Sequence, residues 1–186
     1  GFTTPGGVTH QSINDVGIMR TVPNMAIFDV GDATDIEGVL DLVYEWNGPA
    51  YIRMLRKEVP RLFPANEPMV FNRARTITEG DDVLILSSSI CTEEAMRATA
   101  ALEDKGVSVQ HMHVSTLKPF TDPTIVEALK KCKYGVVTME NHYNIGGLGS
   151  AVADLMAENG IGKKLIKIGL NGYAHGASKM YLMTKY

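Results

Sequence analysis

The run Val83-Leu84-Ile85-Leu86-Ser87 decides the fold class of this chain. It is continuously apolar for four residues, without the alternation that a strand with one solvent-exposed face would show. The segment Tyr134-Gly-Val-Val-Thr138 has the same character. Such strands are typical of a sheet covered by helices on both faces, as in α/β proteins with parallel strands.

The chain on either side of these runs alternates between strand and helix patterns. After Gly80 we predict strands at 83–87, 107–114, 134–139 and 165–169, and helices at 92–104, 123–132 and 147–158. Before it, strands at 25–28 and 50–55 flank an amphipathic helix that contains Ile36, Val39, Leu40 and Val43. This order predicts an α/β fold with a mostly parallel sheet.

The organisation changes between residues 58 and 80, where Pro60, Pro64 and Pro68 interrupt a stretch with few apolar repeats. Such composition is typical of a connector. We therefore predict a partial α/β domain at 1–57, a linker at 58–80, and a three-layer α/β/α domain at 81–186.

Composition excludes several classes of function. The 186 residues are 45% hydrophobic and 21% charged, with a formal net charge of −3. Nothing in this balance favours a nucleic-acid or membrane partner, because there is no basic stripe and no long apolar run. Cys91 and Cys132 lack C-x-x-C spacing, which favours reduced thiols in a cytoplasmic protein.

One imidazole stands at a loop-to-helix junction, in Val8-Thr9-His10-Gln11-Ser12-Ile13-Asn14-Asp15. Loops on rigid scaffolds often carry function, but a lone histidine is more often a cap or a surface residue. Met19-Arg20-Thr21-Val22-Pro23-Asn24-Met25 follows it closely.

These two stretches resemble the transketolases, in which G-P-T-H-Q-x-I-E-D and M-R-x-x-P-N-M close the pyrimidine-binding domain. A third stretch, Val137-Thr-Met-Glu140-Asn-His142-Tyr-Asn-Ile-Gly146-Gly147-Leu-Gly149-Ser150, resembles V-x-x-E-x-H-x-x-x-G-G-L-G-S of their C-terminal domain. The resemblance implies that 1–57 ends the pyrimidine-binding domain of a thiamine-diphosphate-dependent enzyme, and that 81–186 is its C-terminal domain.

The resemblance also implies roles for individual residues. His10 would hydrogen-bond the donor ketose near its carbonyl as a catalytic and substrate-binding residue. Arg56 would contact the sugar phosphate as the better positional match, with Arg53 nearby. The two-carbon ketol unit would pass between sugar phosphates.

Several parts of a complete transketolase are missing from the 186 residues. The glutamate that protonates the aminopyrimidine lies upstream in the family, and the G-D-G…N motif for diphosphate and magnesium is absent. We therefore expect a C-terminal section that binds no cofactor or metal alone and works with an N-terminal section or subunit, in a homodimer or heterotetramer.

Alternatives stay open at this point. A deoxyxylulose-phosphate synthase fragment or a non-catalytic assembly module would share parts of the pattern. Gly6 stands where the family usually has an acidic ligand, and Val8 replaces a proline, which leaves the choice of substrate open.

Two further patterns each allow two interpretations. The glycines at 146–149 could form an anion-binding nest, although close packing in a tight turn is the preferred interpretation. His111 and His113 alternate on one strand and could share a metal, but no spaced partner completes such a site.

Overall fold

The computed structural model describes residues 1–2, 5–56 and 58–186. Within these residues the strands are β1 (Ala26–Asp29), β2 (Ala50–Arg53), β3 (Arg75–Thr78), β4 (Val83–Ser87), β5 (Val109–His113), β6 (Thr116–Lys118), β7 (Gly135–Tyr143) and β8 (Leu165–Leu170). The helices are α1 (Asp15–Arg20), α2 (Ala33–Glu45), α3 (Cys91–Glu103), α4 (Pro123–Lys131), α5 (Leu148–Glu158) and α6 (Lys179–Lys185).

The larger sheet has five strands in the order β3-β5-β4-β7-β8. The pairs β5–β4, β4–β7 and β7–β8 are parallel, and β3 pairs antiparallel with β5 at the edge. The predicted mostly parallel α/β sheet is confirmed.

Alternate residues of β4 enter cores on opposite faces of this sheet. Leu84 and Leu86 pack in a cluster with residues of α4 and α5, whereas Ile85 packs with Ala95 of α3. Side chains of a strand point to its two faces in turn, so helices cover both of them. This is the three-layer α/β/α arrangement that the apolar runs predicted.

A smaller sheet of three strands has the order β2-β1-β6. The strands β1 and β2 are parallel and are joined through α2, as the β-α-β pattern predicted. On its other side β1 pairs antiparallel with β6, which comes from the later part of the chain. The first 57 residues and the later part therefore share one sheet.

Two strands were not predicted. The strand β3 lies in the predicted linker at 58–80, and β6 begins three residues after the end of β5. Each has four residues or fewer, and Arg75-Thr-Ile-Thr78 contains a single apolar residue. The domain boundaries themselves stay a prediction.

Asp32, the N-cap residue of α2, holds the connector at 58–80 against that helix. One carboxylate oxygen of Asp32 accepts from the backbone N–H of Asp35 at 3.0 Å, and the other accepts from those of Leu62 and Phe63 at 2.6 and 2.9 Å. The Phe63 ring then packs on His113, with centroids 4.9 Å apart. Three backbone donors are thus satisfied by one side chain.

Among the described residues, the helices are all too short or too polar to cross a membrane.

Candidate functional site

A cavity of about 320 Å³ opens between the loop after the first residues and the end of β2. Its lining includes His10, Asp15, Tyr51, Arg53 and Arg56. The three residues predicted to bind substrate, His10, Arg53 and Arg56, therefore meet at one cavity, although they are up to 46 positions apart in the chain. A cavity of this size suits a small polar molecule.

His10 is the last residue of a short 3-10 helix, Gly7–His10, and its side chain is exposed. Its Nδ1 atom lies 2.8 Å from Thr9 Oγ1, which in turn lies 3.4 Å from the carbonyl oxygen of Gly6. If the hydroxyl donates to Nδ1 rather than to that carbonyl, the ring proton is on Nε2, which is then the donor left to face a ligand.

Gly6 lies directly under the His10 ring. A Cβ atom added at Gly6 would lie 2.7 Å from His10 Cγ, closer than real side chains approach. An acidic residue at this position would therefore displace the imidazole from its present place.

The two arginines differ in how they meet the cavity. Arg56 is exposed just beyond the end of β2, and no side chain or backbone acceptor among the described residues binds its guanidinium. Arg53 is 7% exposed, and all three of its nitrogens donate to protein oxygens. Arg56 is the one of the two that can reach a ligand without breaking a buried contact.

Beneath the cavity is a buried ionic cluster, defined by Asp15, Asp29, Arg53 and Tyr51. Arg53 pairs with Asp15 at 2.8 Å and with Asp29 at 3.3 Å, and Tyr51 donates to Asp15 at 2.8 Å. Burial alone would lower the pKa of Arg53, but the two carboxylates raise it above its ordinary value. Burial and Asp15 raise the pKa of Tyr51 to about 12.

The same contacts act on Asp15. Burial opposes its ionisation, but the Arg53 charge and the Tyr51 hydroxyl hold its pKa below the usual value. Asp15 therefore stays ionised at neutral pH beside the Arg53 cation.

The Gly146–Ser150 turn encloses a carboxyl group that the chain supplies itself. The Glu140 carboxylate accepts from the backbone N–H of Leu148 at 2.7 Å and of Gly149 at 2.8 Å, at the start of α5. Burial raises the pKa of Glu140 to about 7. A Cβ at Gly147 would clash with Glu140 Oε2, at 1.9 Å, so the preferred interpretation of these glycines, close packing, fits this geometry.

His142 precedes this turn, on β7, and faces α1. Its Nδ1 donates to the Tyr143 carbonyl at 2.7 Å, so Nε2 is the acceptor for the Gly17 N–H at 3.4 Å. Burial lowers the pKa of His142, which favours this neutral form. The sequence did not predict that His142 would accept a hydrogen bond from α1, because this contact joins distant parts of the chain.

His111 and His113 share a face, as predicted, but belong to a hydrogen-bonded chain. His111 Nε2 lies 2.7 Å from Ser87 Oγ, which lies 3.0 Å from Thr92 Oγ1. Thr92 Oγ1 lies 2.7 Å from His113 Nδ1, and His113 Nε2 lies 2.7 Å from Asp35 Oδ2. We call these five residues the buried relay.

The relay has a defined polarity. His113 Nε2 donates to the Asp35 carboxylate, so in the neutral ring Nδ1 accepts from Thr92, which then accepts from Ser87. His111 Nε2 donates to Ser87, and this leaves His111 Nδ1 as a bare acceptor, which has no partner among the described residues. Burial, and then His113, lower the pKa of His111 to about 4.

Neither the relay nor the cavity resembles a metal centre. In the described part of the chain, no group of three or more His, Cys, Asp or Glu side chains is gathered closely enough to hold a metal ion. Cys91 and Cys132 are both buried free thiols, and burial raises the pKa of Cys91 to about 12.

Fold and site together define an α/β protein whose cavity combines an exposed imidazole with an exposed guanidinium, groups that suit a small anionic ligand. Residues 72–185 match the family model "Transketolase, C-terminal domain". The chain belongs to the transketolase family.

Sequence similarity to known proteins extends over most of the chain. It is 35% identical, over 97% of its length, to a protein of Methanocaldococcus jannaschii described as a transketolase C-terminal section, and covers 56% of that protein. It is 36% identical, over 82% of its length, to the 6-deoxy-6-sulfo-D-fructose transketolase subunit SqwH of a Clostridium species, of which it covers 47%. The chain thus spans about half the length of the relatives it matches.

A solved structure described as "Split gene transketolase, inactive beta4 tetramer" has a TM-score of 0.87 to this chain at 34% identity. The match covers 96% of this chain and 57% of that one. A transketolase of Pichia stipitis has a TM-score of 0.75 at 16% identity over 98% of this chain and 26% of its own, which shows the shared fold alone.

Proposed function

We propose that this chain is the C-terminal section of a thiamine-diphosphate-dependent transketolase-like enzyme, which transfers a two-carbon ketol unit between sugar phosphates. The observation that carries the proposal is the meeting of His10 and Arg56 at one cavity. Relatives named as transketolase subunits, matched over most of this chain, support it.

Arg56 is the proposed phosphate ligand. Its exposed guanidinium can form two parallel charge-assisted hydrogen bonds to a phosphate, which a lysine could not match. Binding energy from the phosphate orients the reacting end of the sugar toward His10.

His10 is the proposed catalytic residue. Its imidazole hydrogen-bonds the substrate near the carbonyl, where negative charge develops during C–C bond cleavage. The Thr9 hydroxyl at 2.8 Å holds the ring in one orientation for this contact.

The cavity does not by itself suit magnesium diphosphate. Magnesium prefers oxygen ligands, but Asp15 Oδ2 already accepts from Tyr51 and Arg53, and the exposed polar groups here are an imidazole and a guanidinium. We therefore propose that thiamine diphosphate and magnesium are held by an N-terminal section. The split-gene neighbour, whose tetramer is described as inactive, supports this division of labour.

The predicted homodimeric or heterotetrameric assembly and the cytoplasmic location stay predictions. Which ketose and aldose serve as substrates also stays a prediction at the level of sugar phosphates.

The test is reconstitution. The purified chain, thiamine diphosphate and magnesium should show no ketol transfer, and addition of an N-terminal transketolase section should give it. Ketol transfer by the chain alone would contradict the proposed division, and no transfer from a stable complex of both sections would favour an assembly module.

Within the active complex, His10→Ala should lower kcat by about tenfold or more, as loss of a transition-state hydrogen bond does. Arg56→Met should raise KM for the sugar phosphate. The matched control is Arg97→Met, which removes an exposed arginine on α3 that pairs with Glu93 and Glu94. Equal kinetics for all three variants would contradict the assigned roles.

A further inference from the structure

Arg53 is bound by four oxygens of the protein. Its Nε donates to Asp15 Oδ2 at 2.8 Å and its Nη1 to Asp29 Oδ1 at 3.3 Å. Its Nη2 donates to two backbone carbonyls, those of Ser12 at 3.1 Å and Asn141 at 2.9 Å. The side chain is 8% exposed, so these bonds are largely shielded from water.

The four acceptors come from three stretches of the chain. Ser12 lies two residues after His10, Asp15 begins α1, Asp29 ends β1, and Asn141 lies on β7. One planar guanidinium thus joins the loop of His10 to both sheets, because its donors spread in a fixed fork.

Two further bonds tie the same loop and α1 to β7. The Tyr143 N–H donates to the Ile13 carbonyl at 2.6 Å, and the Gly17 N–H donates to His142 Nε2 at 3.4 Å. Arg53 holds the same stretch of chain through Ser12 and Asp15, so its removal would free the residues immediately after His10.

We propose that Arg53 is a positioning residue, which holds the His10 loop and α1 against β7 and makes no contact with the sugar phosphate. The proposal rests on the function proposed above and refines it, because it separates two arginines that lie three residues apart. Arg56 binds the ligand, and Arg53 fixes the place of the imidazole that acts on it.

The kinetic test uses the reconstituted complex. Arg53→Lys keeps the charge but cannot span four acceptors, so kcat should fall about tenfold or more while KM for the sugar phosphate changes less than about threefold. Arg56→Met should show the opposite pattern. A rise in KM for Arg53→Lys equal to that of Arg56→Met would overturn the proposal.

A second test needs no activity. In the isolated chain, Arg53→Lys should speed amide hydrogen exchange at Tyr143 and Gly17, and leave it unchanged at Val136, whose N–H donates to Lys164 in the sheet. Unchanged exchange at Tyr143 and Gly17 in the folded variant would overturn the proposal even if no ketol transfer were found.

A third test uses the unmodified chain, in case Arg53→Lys does not fold. In a titration with inorganic phosphate followed by ¹⁵N NMR, the Arg56 Nε–H signal should shift and the Arg53 Nε–H signal should stay in place. A phosphate-dependent shift of the Arg53 signal equal to that of Arg56 would overturn the proposal. Absence of any shift at Arg56 would count against the proposed function. The positioning role of Arg53 would then be decided by the amide hydrogen exchange experiment.

Discussion

His113 Nε2 donates to Asp35 Oδ2 at 2.7 Å, and both side chains are at most 1% exposed. His113 lies on β5 of the five-stranded sheet, and Asp35 lies in the first turn of α2. The two parts of the chain on either side of the connector are therefore joined by a hydrogen bond that water does not reach. The His113 bond pulls the pKa of Asp35 below its ordinary value despite burial, which would raise it.

The relay behind this bond predicts a stability difference between two threonines of α3. Thr92→Val removes the hydroxyl between Ser87 and His113, so the free energy of unfolding should fall by about 1–3 kcal/mol. The control is Thr99→Val on the same helix, because the buried Thr99 hydroxyl has no partner in the described part of the chain. Urea unfolding measures both, and equal losses would contradict the relay.

The Glu140 carboxylate predicts a pH dependence of stability. Its pKa is about 7 in the folded chain against an ordinary value of 4.5, so its full contribution is present below pH 4.5 and is lost as pH rises through 7. The difference corresponds to about 3 kcal/mol. Unfolding by urea between pH 5 and 8 should show a steeper decline for the wild type than for Glu140→Gln.

The control for this pH series is Glu103→Gln, which changes an exposed carboxylate at the end of α3. It should keep the wild-type slope. A wild-type slope in Glu140→Gln would show that the titrating group is another residue.

The Gly147 backbone predicts a steric effect. A methyl group there would lie 1.9 Å from Glu140 Oε2, so Gly147→Ala should lower the unfolding free energy by about 1–3 kcal/mol or displace the carboxylate. Gly162→Ala is the matched control, because nothing lies within 4 Å of its added Cβ. Thermal melts of both variants test this, and equal midpoints would contradict it.

Asp32 predicts that the connector loosens when one side chain is lost. Asp32→Ala leaves the N–H groups of Asp35, Leu62 and Phe63 without their acceptor, so the unfolding free energy should fall by about 2 kcal/mol or more. Asp41→Ala, an exposed position on α2, is the control. Limited proteolysis should cut the connector faster only in Asp32→Ala, and equal cleavage would contradict its anchoring role.

The sequence predicted those parts of the fold that depend on local patterns. The inner strands β4 and β7 and helices α2 to α5 were found because apolar runs and helical spacing are visible within about ten residues. The strands β3 and β6 were missed because they are short and are stabilised by pairing with distant strands.

The sequence predicted only those residues of the site that lie in or next to recognisable motifs. His10 and Arg56 were found by resemblance, and the structure brings them to one cavity. The contacts of Arg53 could not be foreseen, because two of its acceptors are backbone carbonyls 41 and 88 positions away. No pattern in a sequence marks a carbonyl as an acceptor.

The antiparallel pairing of β6 with β1 constrains how such proteins can be recombined. Ile27 pairs with Lys118, and Phe28 pairs with Thr116. A strand from the later part of the chain therefore forms one edge of the smaller sheet, to which the first 57 residues contribute β1 and β2. A chimaera that exchanged residues 81–186 for those of a relative would also replace the edge of the smaller sheet. A graft that took 116–118 from the same parent as the first 57 residues would keep the contacts between β1 and β6. A graft joined at the connector would not.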